Sequence, residues 1–309
     1  MQTLRFARAD VAARYPLPIT DRADWSNVHG TYVIELPLPA LADGTIVVPS
    51  LSLGSLDYAF ETSLRHDDAE WLLAPIGCPH RTIPTPGDRV QTHIDYFSIH
   101  GNVDGARLRF AVFGPRVPER YLLTASIRAA RIDPVGGCAT SARLAVPPIT
   151  QLLAPRAVRR RICSPACVAM VLAHLGRDCN LARVAADCYH APSHLFGVWP
   201  LALRAAARHG LVGAVEALEK IDTAEAFLAQ GTPVVASIRF DAGALEGAAL
   251  PRTDGHLVVV TGLAREAIHV NDPASPSLAD VPRSYPRGAF ANAWLTHRGA
   301  AYLFCRPDR

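Results

Sequence analysis

A thiol, an imidazole and a carboxylate occur in this order in the second half of the 309-residue chain. Cys163 begins the segment CSPACVAMVLAHLG, His256 begins HLVVVTGL, and Asp272 ends AIHVND. A thiolate is a strong nucleophile, an imidazole can accept and return a proton, and a carboxylate can orient the imidazole and stabilise its charged form. The three residue types together predict nucleophilic attack on a carbonyl group.

The residues after Cys163 predict a helix that begins at the thiol. Four apolar residues have the spacing of a single stripe along an α-helix: Val168, Val171, Leu172 and Leu175. Pro165 is typical of a first helical turn, and Gly176 is typical of the position after the last turn. The N-terminal end of a helix carries a partial positive charge, which lowers the pKa of a thiol. We therefore expect Cys163 to be activated, and Cys167, one turn later, to be a buried core residue.

The segments that contain His256 and Asp272 predict an antiparallel β-hairpin. Both segments are apolar and β-branched, and residues 262–266 are the only turn-like material between them. If the hairpin turns near Ala264, His256 and Asp272 oppose each other directly and share a face. A slip of one residue would move Asp272 to the other face. Asn271 is the alternative orienting residue.

Residues 146–295 resemble the bacteriocin-processing-peptidase-like branch of the papain superfamily, that is, peptidase family C39-like. That branch combines a Gln, a Cys at a helix start, a His-led strand and a following Asp-Pro. The corresponding segments here are VPPITQ, CSPACVAMVL, DGHLVVVTGL and NDPASPS. The resemblance implies that Cys163, His256 and Asp272 form a catalytic triad. It also implies that Gln151 donates its side-chain amide to the oxyanion, beside the backbone N–H of Cys163.

The resemblance implies a cysteine peptidase that hydrolyses peptide bonds through an acyl-enzyme, with a peptide or protein substrate and no cofactor. Two alternatives remain open. The same triad would serve an acyl transferase or deamidase, because the residues do not say whether water or an amine resolves the acyl-enzyme. A catalytically silent binding protein could also have this fold. Two features depart from the family pattern: Ser164 stands where many relatives have Gly, and Arg156, Arg159, Arg160 and Arg161 precede the thiol.

Two other groups of residues contain potential metal ligands. The first group is Cys179, Cys188, His190 and His194, and the second is His93, Asp95 and His100. The first group lacks the second well-spaced ligand pair that structural zinc sites have. In the second group, strand alternation would place His93 and His100 on opposite faces. We therefore expect no metal site.

The first half of the chain has a different pattern from the second. From about residue 31 to 130, short apolar segments alternate with turn material at 42–44, 85–88 and 102–105. In RLRFAVF the apolar residues Leu108, Phe110 and Val112 alternate with others, which is typical of a strand buried on one face. This pattern predicts an antiparallel β-sandwich, jelly-roll-like, over residues 1–140. It contains no reactive set, so we expect a binding role, with a carbohydrate or surface ligand by analogy alone.

The second half is expected to be a papain-like α+β domain over residues 146–309, joined through a linker at 133–148. Its pattern gives the Cys163 helix, a helix-rich middle at about 181–230, and then strands, which is the α+β order. The overall fold class predicted is therefore α+β, with a papain-like cysteine peptidase domain preceded by the β-sandwich.

Composition restricts partners and location. The net charge of +3 is small and the arginines are scattered, which argues against a nucleic-acid partner. No apolar run is long enough to predict a membrane span, and residues 1–20 lack the apolar core of a signal peptide. We expect a cytoplasmic protein as the sequence is written, and a secreted one if a leader is missing. Seven cysteines, with Cys78 and Cys138 in turn-like settings, fit a reducing compartment.

Overall fold

The computed structural model describes residues 2–78, 87–134 and 140–307. Cys138, the first two residues of the predicted turn at 85–88, and residues 135–139 of the predicted linker lie outside the described residues. The elements of the first half are β1 (Gln2–Ala7), α1 (Ala9–Ala12), β2 (Ser26–Val28), β3 (Thr31–Pro37), β4 (Thr45–Leu53), β5 (Ala59–His66), β6 (Ala69–Leu72), β7 (Val90–Thr92), β8 (Phe97–Ile99), β9 (Arg107–Phe113) and β10 (Tyr121–Ala129).

The second half contains the remaining helices and strands. In chain order they are α2 (Cys163–His174), α3 (Leu181–Asp187), α4 (Trp199–Ala207), β11 (Val212–Ala217), α5 (Thr223–Ala229), β12 (Val234–Phe240), β13 (Thr253–Leu263), β14 (Ala267–Asn271), β15 (Pro282–Pro286), α6 (Arg287–Leu295) and β16 (Ala300–Cys305). Two short 3-10 helices cover Gln151–Leu153 and Leu278–Asp280. None of the helices in the described part of the chain has both the length and the apolar character needed to cross a membrane.

The first half forms two antiparallel five-stranded sheets, as its alternation indicates. Their strand orders are β1-β10-β4-β8-β7 and β2-β3-β9-β5-β6. Leu108, Phe110 and Val112 of β9 are fully buried, and they share one apolar core with Leu51 of β4 and Leu123 of β10 from the other sheet. The α+β class is confirmed, with two antiparallel sheets ahead of the second half.

The second half is built on one antiparallel sheet with the order β11-β16-β12-β13-β14-β15. Alternate residues of β13 face different cores, so that Leu257 and Val259 pack with α2, whereas Val258 and Val260 pack with α5 and α6. The prediction of a helix-rich middle is only partly right, because residues 212–217 form the edge strand β11. All six are buried, since β11 lies against both α4 and β4, and a strand buried on both faces lacks the alternation that identifies strands in sequence.

The predicted hairpin is present as β13 and β14, but its register differs from direct opposition of His256 and Asp272. Val259 pairs with Asn271 and Val260 with Val270, after which an extra residue, Thr261, shifts the pairing. If the same pairing continues by one residue, Asp272 lies opposite Val258. The prediction placed Asp272 opposite His256, which is two residues away. A displacement of two residues keeps the same face, so the shared face was predicted correctly and the exact partner was wrong.

The edge strand β11 is hydrogen-bonded to the first half of the chain. An edge strand has unpaired N–H groups, and three serine hydroxyls of β4 and β10 accept hydrogen bonds from those of β11. The pairs are Gly213 to Ser52 at 3.2 Å, Val215 to Ser50 at 2.8 Å and Ala217 to Ser126 at 3.2 Å. The two halves therefore share a hydrogen-bonded interface, while the predicted division into domains at residues 140 and 146 stays a prediction.

A buried ion pair crosses the same interface. Glu216 of β11 is fully buried, and both its carboxylate oxygens accept hydrogen bonds from the Arg5 guanidinium, at 2.8 and 2.7 Å. The hydroxyl of Tyr15 donates a third hydrogen bond to Glu216, at 2.9 Å. Because its oxygens are paired, this carboxylate can be buried between the halves without a large penalty.

We predict that Arg5→Met destabilises the protein by about 3 kcal/mol, because it leaves the buried Glu216 carboxylate without its cation. The matched control is Arg65→Met, which removes the exposed ion pair between Arg65 and Glu35 and should cost less than about 1 kcal/mol. Chemical denaturation of the full chain measures both values. Equal, small losses for the two variants would show that the buried pair does not stabilise the fold.

Candidate active site

Cys163 is the first residue of α2, as the sequence predicts. Its side chain is half-buried, and the backbone N–H groups of Ser164 and Leu257 donate hydrogen bonds to the sulfur. Burial by itself would raise the pKa of the thiol. The hydrogen bond and positive charge of His256, together with the two N–H groups, outweigh burial and bring the pKa of Cys163 below its ordinary value of 9.0. Gly176, with φ of +70°, follows the helix as expected.

His256 lies between the thiol and the carboxylate. Its Nε2 is 2.8 Å from Oδ1 of Asp272, and both side chains are almost fully buried. Burial favours the neutral ring, but the charge and hydrogen bond of Asp272, with a further contribution from Cys163, raise the pKa of His256 to about 10. Since Asp272 occupies Nε2, Nδ1 is the nitrogen left to face the sulfur. The arrangement stabilises an imidazolium beside a thiolate.

Asp272 has three hydrogen-bond donors around its carboxylate. Besides His256, Oδ1 accepts the backbone N–H of Ala274 at 2.9 Å, and Oδ2 accepts the hydroxyl of Tyr285 at 2.7 Å. Burial would raise the pKa of Asp272, but the His256 charge and these hydrogen bonds lower it. Asp272 is therefore held in its ionised form, with both oxygens in fixed positions.

Tyr285 is the site residue that sequence reasoning missed. It lies on β15, which pairs with β14 so that Tyr285 faces Ile268. Burial and the adjacent Asp272 raise the pKa of Tyr285, which keeps its hydroxyl protonated as a donor. The segment PRSYP, with a proline at each end, has little strand character in sequence, so only the pairing with β14 reveals the position of Tyr285.

The sequence offers Asn271 as the alternative residue to orient His256, but its side chain has a different role in the structure. Its side-chain Nδ2 donates a hydrogen bond to the carbonyl of Val146 at 3.0 Å, which ties the segment before Gln151 to β14. The same segment passes close to β13 at Gly262, where a Cβ atom would lie 3.0 Å from Cα of Arg143. The chain that leads to Gln151 is therefore positioned by the hairpin that carries His256.

Gln151 is buried and attached to the residues that follow Asp272. Its backbone N–H donates to the carbonyl of Pro273 at 2.9 Å, and the hydroxyl of Thr150 lies 2.6 Å from the carbonyl of Ser275. The side-chain amide of Gln151 makes no hydrogen bond with the described residues, and its Oε1 is buried without a partner. A polar group in this state has hydrogen-bonding capacity that a bound molecule could use.

The departure at Ser164 has a structural explanation. Ser164 is fully buried, and its hydroxyl lies 3.0 Å from that of Tyr302 on β16, so the side chain that replaces Gly has a hydrogen-bond partner. Cys167 is also fully buried, as expected, and burial raises the pKa of its thiol well above the ordinary value. Of these two neighbouring cysteines, only Cys163 has the environment of a nucleophile.

The other candidate ligands have partners of their own. His190 lies 2.7 Å from the Ser193 hydroxyl, and His194 lies 2.8 Å from the Tyr189 hydroxyl. Asp95 accepts the backbone N–H of Trp199. Across residues 2–78, 87–134 and 140–307, no three His, Cys, Asp or Glu side chains converge as metal ligands would.

Comparisons with known proteins concern mainly the second half. Residues 143–302 match the model of the Peptidase_C39 like family. No curated protein matches the chain. Among solved structures, a Bacillus anthracis protein described as a C39-like peptidase aligns with a TM-score of 0.42 and 19% identity, over 54% of this chain and 97% of the other.

We predict that a neutral alkylating agent, iodoacetamide, modifies Cys163 faster than any other described cysteine at pH 6. The thiolate of Cys163 persists below pH 9.0 because its pKa is lowered, and the supporting imidazolium persists up to about pH 10. In His256→Ala the rate at pH 6 should fall, by up to about tenfold for each unit by which the pKa rises. Mass spectrometry of modified peptides measures the site and rate, with Cys167→Ser as the control that should keep wild-type labelling.

Preferential modification of Cys167 or Cys188 would contradict this assignment. So would an unchanged Cys163 rate in His256→Ala, because it would show that the imidazolium does not support the thiolate.

Proposed function

The chain belongs to the Peptidase_C39 like family, and on this basis we propose that it is a cysteine peptidase with Cys163, His256 and Asp272 as its triad. The match to residues 143–302 confirms the resemblance indicated by the four sequence motifs. One observation carries the proposal: the buried hydrogen bond of 2.8 Å between His256 and Asp272, beside a thiol whose pKa is lowered.

The proposed reaction forms and resolves an acyl-enzyme. The Cys163 thiolate attacks the scissile carbonyl, and the C–N bond breaks as the His256 imidazolium gives its proton to the leaving amine. A water molecule then attacks the thioester while neutral His256 accepts one of its protons. The sulfur leaves as the thiolate, the product leaves as a carboxylic acid, and the imidazolium is restored. Asp272 keeps Nε2 protonated and the ring oriented throughout.

The oxyanion needs hydrogen-bond donors that no protein group already uses. The backbone N–H of Cys163 is in the first turn of α2, where N–H groups have no intrahelical acceptor. The unpartnered buried atom of the Gln151 amide is its oxygen, and the NH2 group of the same amide is the part that can donate to an oxyanion. These two groups are the proposed oxyanion donors.

We also propose that the first half is a β-sandwich, jelly-roll-like, over residues 1–140, and that residues 146–309 form the papain-like domain. The two antiparallel sheets with a common core support the first assignment. The serine contacts with β11 support a positioning role for the first half, because they hold the edge of the sheet that carries His256.

We predict that Asp272→Ala lowers turnover of a peptide substrate strongly, and that Asp272→Asn retains more activity. An amide oxygen at position 272 can still accept the ring N–H, and its NH2 group can face Tyr285, whose hydroxyl can also accept. Steady-state kinetics measure both variants, with circular dichroism as the check on folding. An amine acceptor added to the assay separates hydrolysis from acyl transfer through the product formed. Near-wild-type rates for both variants would remove Asp272 from the proposed site.

We predict that Gln151→Ala lowers kcat by about 100- to 1,000-fold, the usual effect of losing one oxyanion donor. The rate of Cys163 alkylation should change little, because Gln151 is not among the groups that set the thiol's pKa. Measuring both rates on the same preparation separates oxyanion stabilisation from thiol activation. A turnover within about twofold of wild type would contradict the role of Gln151.

A further inference from the structure

The strand that carries His256 has an irregularity directly before that residue. The pairing of β13 with β12 shifts there, so that Asp254 and Gly255 together oppose a single residue of β12, Arg239. An extra residue of this kind bends a strand, and it is common beside active sites. Gly255 is exposed to solvent. The irregular backbone therefore leaves an accessible surface next to the proposed general base.

The guanidinium of Arg298 borders this surface. A Cβ atom built on Gly255 would lie 3.9 Å from Nη2 of Arg298 and, chain neighbours aside, would meet no other described atom within 4 Å. The sulfur of Cys163 accepts the backbone N–H of Leu257, two residues further along the same strand. Residues two apart on a strand are separated by about 6.6 Å. Arg298 therefore lies within a few residues' reach of the nucleophile along an extended peptide.

Arg298 is held in place by the first half of the chain. Its guanidinium carbon lies 5.8 Å from the centre of the Tyr96 ring, in a cation–π contact. Tyr96 belongs to the loop between β7 and β8, and its ring stacks on those of His93 and Trp199 at 4.1 and 5.9 Å between centres. Asp95 of the same loop accepts the backbone N–H of Trp199 at 3.2 Å, which attaches the loop to the start of α4. A loop of the first half therefore fixes a positive charge close to the nucleophile.

The Arg298 guanidinium has unused hydrogen-bond donors. A guanidinium has five N–H donors, and within the described part of the chain those of Arg298 make no hydrogen bond and no ion pair. Burial raises the pKa of the neighbouring Asp95 to about 8, so this carboxyl is mostly protonated at neutral pH and does not neutralise Arg298. An uncompensated guanidinium is complementary to a carboxylate, to which it can donate two parallel hydrogen bonds.

We propose that Arg298 is a specificity-determining residue that binds a carboxylate of the substrate a few residues from the scissile bond. The carboxylate belongs to an acidic side chain or to the C-terminal end of the peptide, because both present the same two oxygens to a guanidinium. This inference rests on the proposed function, because it places the same peptide at Cys163. It also gives the first half a part in substrate selection, since Tyr96 holds the guanidinium.

Affinity labels that alkylate Cys163 test this proposal without turnover. Each label carries an iodoacetyl group on a dipeptide that begins with glycine, and the thiolate displaces iodide. One pair ends in glutamate amide or glutamine amide, and the other ends in glycine with a free or an amidated C terminus. Each label is tethered only at the sulfur, so its carboxylate can reach a guanidinium on either side.

We expect at least one carboxylate label to modify wild-type Cys163 about tenfold or more faster than its uncharged counterpart. The pair with the larger ratio identifies the source of the carboxylate. Raising the salt from about 50 mM to about 500 mM should reduce this ratio, because salt screens the attraction between the two charges.

Variants assign the preference to Arg298. Each rate is divided by the iodoacetamide rate of the same variant, which removes any change in the thiol itself. Arg298→Gln should bring the charged and uncharged labels to within about twofold of each other, and Arg298→Lys should keep only part of the preference, because an ammonium does not form the bidentate pair. The matched control, Arg239→Gln, removes the same charge beside Gly255, but its guanidinium is already paired with Asp254 at 3.6 Å, and the preference should persist.

Equal rates within both pairs of labels on the wild-type protein would overturn the proposal. So would a preference that survives Arg298→Gln in a protein that circular dichroism shows to be folded, or a loss of equal size in Arg239→Gln, which would indicate a general effect of positive charge. If Arg298→Gln does not fold, Arg298→Lys supplies the test, and an undiminished preference in that variant would overturn the proposal.

Hydrolysis of peptides that carry the favoured carboxylate, or its amide, is measured separately on the wild-type protein. A labelling preference without any cleavage would support the role of Arg298 and overturn the proposed peptidase function. Cleavage of both peptides at equal kcat/KM would support the peptidase function and overturn the role of Arg298.

Discussion

The buried hydrogen bond between His256 and Asp272 is the interaction on which the candidate site depends. An ionised carboxylate in the protein interior is costly unless its charge is paired and its oxygens accept hydrogen bonds. Asp272 meets both conditions through His256, the backbone of Ala274 and the hydroxyl of Tyr285. The fixed carboxylate raises the pKa of His256 to about 10, and the resulting imidazolium lowers the pKa of Cys163.

The elements of the second half satisfy the geometric demands of this interaction. Strand β13 contains one extra residue, Thr261, and this residue sets the register that places Asp272 on the same face as His256. Without it, the register of the pair Gly262 and His269 would continue along the strands and would place Asp272 on the opposite face. Strand β15 supplies Tyr285, and Asn271 holds the segment that leads to Gln151. The first half supports the opposite edge of the same sheet through its serines and the pair of Arg5 and Glu216.

Local sequence predicts the parts of this arrangement that depend on local forces. The helix beginning at Cys163, the β13–β14 hairpin, the alternation in β9 and the face shared by His256 and Asp272 follow from apolar spacing and turn residues. The two-residue offset of Asp272 has two sources: the turn is centred between Arg265 and Glu266 rather than at Ala264, and β13 contains one extra residue. The extra residue could not be predicted, because in a run such as HLVVVTGL it leaves no compositional signal. Tyr285, and the pairing of Arg5 with Glu216 across 211 positions, depend on strand order, which local patterns do not specify.

The central claim is that Asp272, through His256, lowers the pKa of the Cys163 thiol below its ordinary value of 9.0. The ultraviolet absorbance of the thiolate, measured across pH as the difference between wild type and Cys163→Ala, tests it without any substrate. The account predicts that the thiolate signal of the wild type appears with a midpoint below pH 9.0, and that Asp272→Ala shifts this midpoint to higher pH. A thiolate that appears only at or above the ordinary value of 9.0 in the wild type, or a transition that Asp272→Ala leaves in place, would contradict it.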